Sequence, residues 1–402
     1  MESYKDAAHL AATLKPINPV FCARPHAADA AARAFLRGFD GETFYAVKAN
    51  PSLWLLQALY DAGVRNFEVV SIAETRLIRG AFSDARIAFM NPVKAEEAIA
   101  EAYHQHGVRI FALDTEEELD KIVRVAGGAA DLTLCLRHRV NNADARINLG
   151  AKFGAEGDVA VSLLQRMRQV CERLGVCFHV GSQAMSPASF SRAIDAVEQT
   201  IVRAGVIIDV LNVGGGFPVA YPGMTPPSLE TYFAVIHERF EAMLVAENCA
   251  LWCEPGRALS AEAASLLVRV EARKNSDLYI NDGAYGALFD AAHLNWRFPA
   301  RRVSGDDAQA GPTEAFRFYG PTCDDLDCME GPFDLPASTA VGDYLEIDCL
   351  GAYGAAMATG FNGFGGDYLA VCVEDGDAQT GTGVANVPGN EQPATAGGRY
   401  GI

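Results

Sequence analysis

The chain has 402 residues, 50% of them hydrophobic and 21% charged, with 33 Lys and Arg against 51 Asp and Glu. That length suits two domains, each with a substantial core. The formal net charge of -18 argues against nucleic acid as a partner, since a phosphate backbone needs a basic face and no Lys/Arg-rich run is present; acidity suits a cationic ligand but is more often only a solubility device.

PVFCA (19–23) is predicted as a strand that joins a later β domain. Eight β-branched or aromatic runs follow: TFYAVKA (43–49), NFEVVS (66–71), RIAFMNP (86–92), RIFALDT (109–115), DLTLCLRH (131–138), VCFHVGS (176–182), VIIDVLNVGGG (206–216) and ALWCEPG (250–256). Amphipathic stretches alternate with them, such as LWLLQALYDAG, with Leu55, Leu56, Leu59 and Tyr60 on one face. Eightfold alternation is the pattern of a (β/α)8 barrel of the TIM type, although an open doubly wound sheet shares it.

After Arg257 the rhythm changes to strands without long helices: ASLLVRVEARKN, DLYIND, EAFRFYGP, DYLEIDCL and YLAVCVE. The expected fold is therefore an α/β barrel plus a C-terminal all-β domain. The expected division is an N-terminal segment (1–25) joining the β domain, the barrel (26–262), the β domain (263–374) and a disordered tail (375–402) rich in Gly, Thr and Ala. The longest charge-free run, 210–229, holds three glycines in a row and four prolines, so it is not a membrane helix. The N-terminus lacks the pattern of a secretory signal, and the ten cysteines show no C-x-x-C spacing. The expected location is the cytoplasm, with no metal site.

Polar residues collect at the C-terminal ends of the predicted strands: Lys48, Glu68 and Ser71, His179 and Ser182, Gly214 to Gly216, and Glu254 with Gly256 and Arg257. In a barrel these ends form one face, where active sites are built. Lys48 in an apolar strand is expected to have a depressed pKa and to react with a carbonyl. The glycine run lets backbone N–H groups approach a phosphate, to which Arg257 adds a fork of donors. His179 offers a ring to stack, and Glu254 among apolar residues needs a cationic partner or a proton. An aldehyde, a phosphate, a flat ring and a basic ring nitrogen together describe pyridoxal 5'-phosphate (PLP).

The ordered motifs FYAVKANP, FHVGSQ, NVGGGFP, EPGR, NDGAYG, GPTCDDLD, GAYGAA and FNGF resemble those of the barrel-type (fold type III, alanine racemase-like) PLP-dependent decarboxylases of basic amino acids, and among them the ornithine and lysine decarboxylases. The resemblance runs from about Val20 to about Glu374. It implies Lys48 as the Schiff-base lysine, His179 on the cofactor ring and Glu254 at the pyridinium nitrogen. Ser182, Gly214, Gly215, Gly216, Gly256, Arg257 and Tyr353 then match phosphate contacts. Cys323 matches a cysteine acting near Cα across a homodimer interface, while Asp324 from the second subunit and Asp290 from the first match the acids that meet the distal amine. Glu68 stands where the ornithine enzymes usually have Asp, and Arg146 matches a family arginine through a longer motif. The implied activity is α-decarboxylation of L-ornithine or L-lysine to putrescine or cadaverine in a homodimer with shared sites. The alternatives are meso-diaminopimelate decarboxylase, which typically carries Glu after the motif cysteine, and a non-catalytic regulatory paralogue.

Overall fold

The computed structural model describes residues 1–128, 130–140, 145–147, 150–305, 308–365 and 368–374. The tail expected to be disordered, 375–402, lies outside them. Eight parallel strands close into a barrel: Glu42–Ala46, Asn66–Val69, Arg86–Phe89, Ile110–Leu113, Thr133–Arg137, Arg173–Cys177, Val210–Asn212 and Ala250–Cys253. Each pairs with its neighbours in chain order, and the last closes on the first through Trp252 opposite Glu42. These strands read as continuous apolar runs because both faces are covered. Phe44, Met90, Cys135, Cys177 and Trp252 pack inside the barrel, while Tyr45, Phe67, Phe89, Phe111 and Leu134 face the helices outside.

The helices start where side chains can replace missing backbone partners. Ser71 accepts from Glu74 N at 3.2 Å and the Glu74 carboxylate accepts from Val70 N at 2.7 Å, satisfying two donors at the head of Ile72–Ala81. Ser71, picked out above for chemistry, is thus a helix cap. Thr115 does the same for Glu116–Val125 by accepting from Glu118 N.

The strands are shorter than the runs that mark them. The first ends at Ala46, and Lys48 sits on a 3-10 turn, Val47–Ala49; the sixth ends at Cys177, so His179 lies on a loop. Ser182 belongs to Ser182–Ala184, paired antiparallel with Ala145–Ile147. The remaining strands form a nine-stranded sheet in which Val20–Ala23 lies between Ala264–Lys274, antiparallel, and Leu369–Val373, parallel. Its members Cys328–Pro336 and Ala300–Arg302 are absent from the sequence reading, since Gly331 and Pro332 break the first run and the second is only three residues long. The buried Arg24, just past Val20–Ala23, binds Ser265 Oγ at 2.9 Å and Glu346 at 2.6 Å, tying the end of that strand to Ala264–Lys274 and Tyr344–Ile347.

Candidate active site

Strand ends and the loops after them bring Lys48, Glu68, His179, Gly214 to Gly216, Glu254, Gly256 and Arg257 to the barrel mouth. Lys48 Nζ lies 2.6 Å from Glu68 Oε2, and that carboxylate is only 2% exposed. Burial alone would lower the Lys48 pKa, yet the charges of Glu68, Tyr353 and Glu254 outweigh it and the value is raised. The depressed pKa expected of a buried lysine is not found: the neighbouring carboxylates, Glu68 first, favour the ammonium form of Lys48.

Glu254 follows the eighth strand. Asn212 Nδ2 donates to its Oε1 at 2.6 Å, Asn212 Oδ1 accepts from Gly214 N at 2.9 Å, and Glu254 N donates to Gly214 O at 2.8 Å. Desolvation and the nearby Glu68 push the Glu254 carboxyl up to about 7 against the pull of Lys48, Arg137 and Asn212. The folded state thus binds this proton more tightly than the unfolded chain does, so the contribution to stability is complete below pH 4.5 and lost as pH rises through about 7. Glu254→Gln removes that ionisation. We expect the Tm of the ligand-free wild type, relative to Glu254→Gln, to fall as pH is raised across this window, and thermal melts at its two ends check it; a constant difference would contradict the assignment.

His179 Nδ1 accepts from Gly181 N at 2.9 Å, leaving the ring proton at Nε2. Burial, with help from Arg137 and Lys48, holds the His179 pKa well below its ordinary value, so the ring is neutral. The glycine run passes beneath it. A Cβ on Gly215 would come within 3.2 Å of His179 Nε2 and 2.6 Å of the Glu254 carbonyl, and one on Gly256 within 2.9 Å of Ala49 Cβ. Gln183 clips this loop in place through Val219, and Ala184 N donates to Gly216 O.

Arg257 is 4% exposed. Its Nη1 donates to Tyr221 Oη at 3.1 Å, its Nη2 lies 3.4 Å from Asp290 Oδ2, and its guanidinium carbon sits 4.3 Å from the Trp296 ring centre and 5.0 Å from that of Tyr353. Tyr353 adopts φ 61 and its N–H donates to Ala49 O, while Asn50 reaches Gly351 O, so the GAYG loop is tied to the turn carrying Lys48. Arg257 Nε is buried with no partner among the described residues, and none of them accepts from the amides of Gly215 or Gly216. Unused donors beside a cradle that any Cβ would fill fit an incoming phosphate. A lysine side chain, a neutral ring and a buried carboxyl complete a set of groups that fits PLP.

Three expected residues are placed elsewhere. Cys323 is exposed, with Sγ 3.3 Å from Asn362 Oδ1, and Asp324 accepts from Tyr285 Oη at 2.6 Å, which holds its carboxyl below the usual range. Both line a cavity of about 930 Å³ whose walls include none of Lys48, Glu68, His179, Glu254 or Arg257. The buried Asp327 braces this loop by accepting from Ala284 N and Thr322. Arg146, on the Ala145–Ile147 strand, donates to Leu294 O at 2.9 Å. The arginine whose charge reaches His179 and Glu254 is Arg137, the last residue of the fifth strand. Sequence reasoning missed Arg137, Asn212, Tyr221 and Trp296, although Arg137 carries the same mark as Lys48, a cation near the end of an apolar run.

Residues 26–261 match the family described as pyridoxal-dependent decarboxylase, pyridoxal binding domain. A lysine/ornithine decarboxylase of Selenomonas ruminantium is 31% identical over 336 residues, 81% of each chain, and the ornithine decarboxylase of Mus musculus is 31% identical over 349 residues, 80% of this chain and 73% of its own. Among solved structures, SrLDC with PLP and cadaverine is 26% identical and superposes with a TM-score of 0.78 over 93% of this chain and 95% of its own. The Paramecium bursaria Chlorella virus arginine decarboxylase, 24% identical, shares the fold with a TM-score of 0.80 over 92% of this chain and all of its own. The chain therefore belongs to the pyridoxal-dependent decarboxylases, with PLP as its cofactor.

Proposed function

We propose that the protein removes the α-carboxylate of L-ornithine and L-lysine to give putrescine and cadaverine, acting in polyamine biosynthesis in the cytoplasm as a homodimer. The observation that carries this reading is Lys48 held 2.6 Å from a buried Glu68 beside a glycine and arginine cradle with unused donors. Relatives named for lysine and ornithine support the substrate class. Bound there, PLP supplies an electron sink for the pair released when carbon dioxide leaves. Lys48 would hold the cofactor at its carbonyl carbon and take the product's place there afterwards, with Glu68 placed to take and return its proton. Glu254 would keep a proton at the ring nitrogen, His179 would pack on the ring, and Arg257, Ser182, Tyr353, Gly256 and Gly214 to Gly216 would hold the phosphate. The barrel (26–262) and β domain (263–374) supply these groups from both sides.

Cys323 and Asp324 stand apart from Lys48 in one chain, and both are exposed or half-exposed on a loop beside exposed Leu326, Phe361 and Phe364. In the homodimer, Cys323 of the partner subunit returns a proton to Cα and Asp324 of the partner subunit, with Asp290, reads the distal ammonium. Mixing inactive Lys48→Ala and Cys323→Ala chains is expected to restore roughly a quarter of wild-type activity, because random exchange yields heterodimers with one intact site of two. No recovery under demonstrated exchange would contradict the shared site.

The substrate reading is tested by kcat/KM for each amino acid. Ornithine and lysine differ by one methylene, so their values are expected to lie within roughly 200-fold of each other, with arginine and diaminopimelate below both. Preference for diaminopimelate would overturn it.

A further inference from the structure

The pairing of Arg257 with Asp290 has a consequence for the order in which the site fills. Arg257 is immobilised: Tyr221, its hydrogen-bond partner, is packed edge-on against Trp296 at 5.1 Å and Phe298 at 5.5 Å, and Trp296 also covers the guanidinium. Asp290, on the short helix Phe289–His293, is 9% exposed and meets Arg257 only through a 3.4 Å contact, near the limit of a hydrogen bond. An ionised Asp290 and the guanidinium cancel each other's charge. The arginine's charge answers the acid, and the acid offers little to a cation.

We propose that a phosphate seated on Arg257 releases Asp290 to accept the distal ammonium of the substrate, so that phosphate and diamine bind this site cooperatively. This rests on the reading of Arg257 as the phosphate arginine and Asp290 as a substrate acid. A phosphate brings a charge of roughly -1.5 to -2 to the guanidinium. The cluster then turns from neutral to negative, and the buried Asp290 loses the exclusive counter-charge that opposes its desolvation. Burial already pushes the Asp290 carboxyl up against the pull of Arg257. A cation is what the enlarged cluster needs, and an ammonium on a flexible chain supplies it. Linkage requires the reverse effect: bound diamine tightens phosphate by the same factor.

The test is calorimetric titration of cadaverine into the cofactor-free full chain, with and without saturating inorganic phosphate, at ionic strength matched with chloride. Cadaverine is expected to bind at least about five-fold more tightly with phosphate, and phosphate to gain equally from cadaverine. In Asp290→Asn, phosphate binding is expected to persist while the coupling falls to about one. Equal cadaverine affinity with and without phosphate in the wild type would overturn the proposal alone, as would full coupling in a folded Asp290→Asn. Failure of both ligands to bind would overturn it together with the reading on which it rests.

Discussion

Replacing Lys48 with Arg is expected to lower kcat on the order of a thousand-fold, about 4 kcal/mol of transition-state stabilisation, and to abolish borohydride-trappable cofactor. Arginine stays protonated at any accessible pH and cannot serve as the nucleophilic amine. The conservative change matters because Lys48 is the counter-ion of Glu68, which is nearly inaccessible, and lies close enough to Glu254 to pull its carboxyl down. Lys48→Ala would leave two buried carboxylates facing each other, confusing a chemical loss with an electrostatic one. Lys48→Arg keeps the charge, so its Tm is expected to stay near that of the wild type while turnover vanishes. Substantial turnover, or cofactor still fixed covalently, would remove Lys48 from the centre of the site.

Gly214→Ala is expected to cost about 2–5 kcal/mol of stability and most of the activity of what remains folded. Gly214 has φ 68, a left-handed conformation, and an added Cβ would overlap the Phe178 carbonyl oxygen. Neither neighbour can yield cheaply. Phe178 is fully buried, and the Gly214 backbone bonds both Asn212 and Glu254, so relief of the clash would move the carboxyl that Asn212 aims. Denaturant melts measure the first effect, and kcat of the folded fraction the second. Unchanged stability would mean that the loop is free to move, in conflict with the close approach of the Gly214 and His179 backbones.

The barrel was legible because its strands are apolar on both faces, and Lys48, Glu254 and Arg257 stood out as charges in apolar settings. What the sequence could not convey was which charge answers which. In the sequence Lys48 reads as an isolated amine with a depressed pKa, whereas the fold sets Glu68, twenty residues away, at its side. Motif spacing points to Arg146 and passes over Arg137, whereas the fold puts Arg137 at the end of a barrel strand and Arg146 on a strand pairing with Ser182–Ala184. Asp290 could be placed on its segment but not against Arg257, since that contact depends on how Tyr221 and Trp296 pack from two distant loops. Cys328–Pro336 was lost for a local reason, the Gly331–Pro332 pair within it, which reads as a turn.

Decarboxylation at this site breaks the bond from Cα to the carboxylate and returns a proton to Cα, and mass spectrometry of lysine and ornithine incubated with the PLP-loaded enzyme in deuterium oxide reads both events. After back-exchange into ordinary water, the expected products are cadaverine and putrescine, each carrying a single carbon-bound deuteron. Recovery of intact amino acid bearing that deuteron, with no carbon dioxide released, would contradict decarboxylation and show that the same lysine and cofactor perform proton exchange at Cα instead.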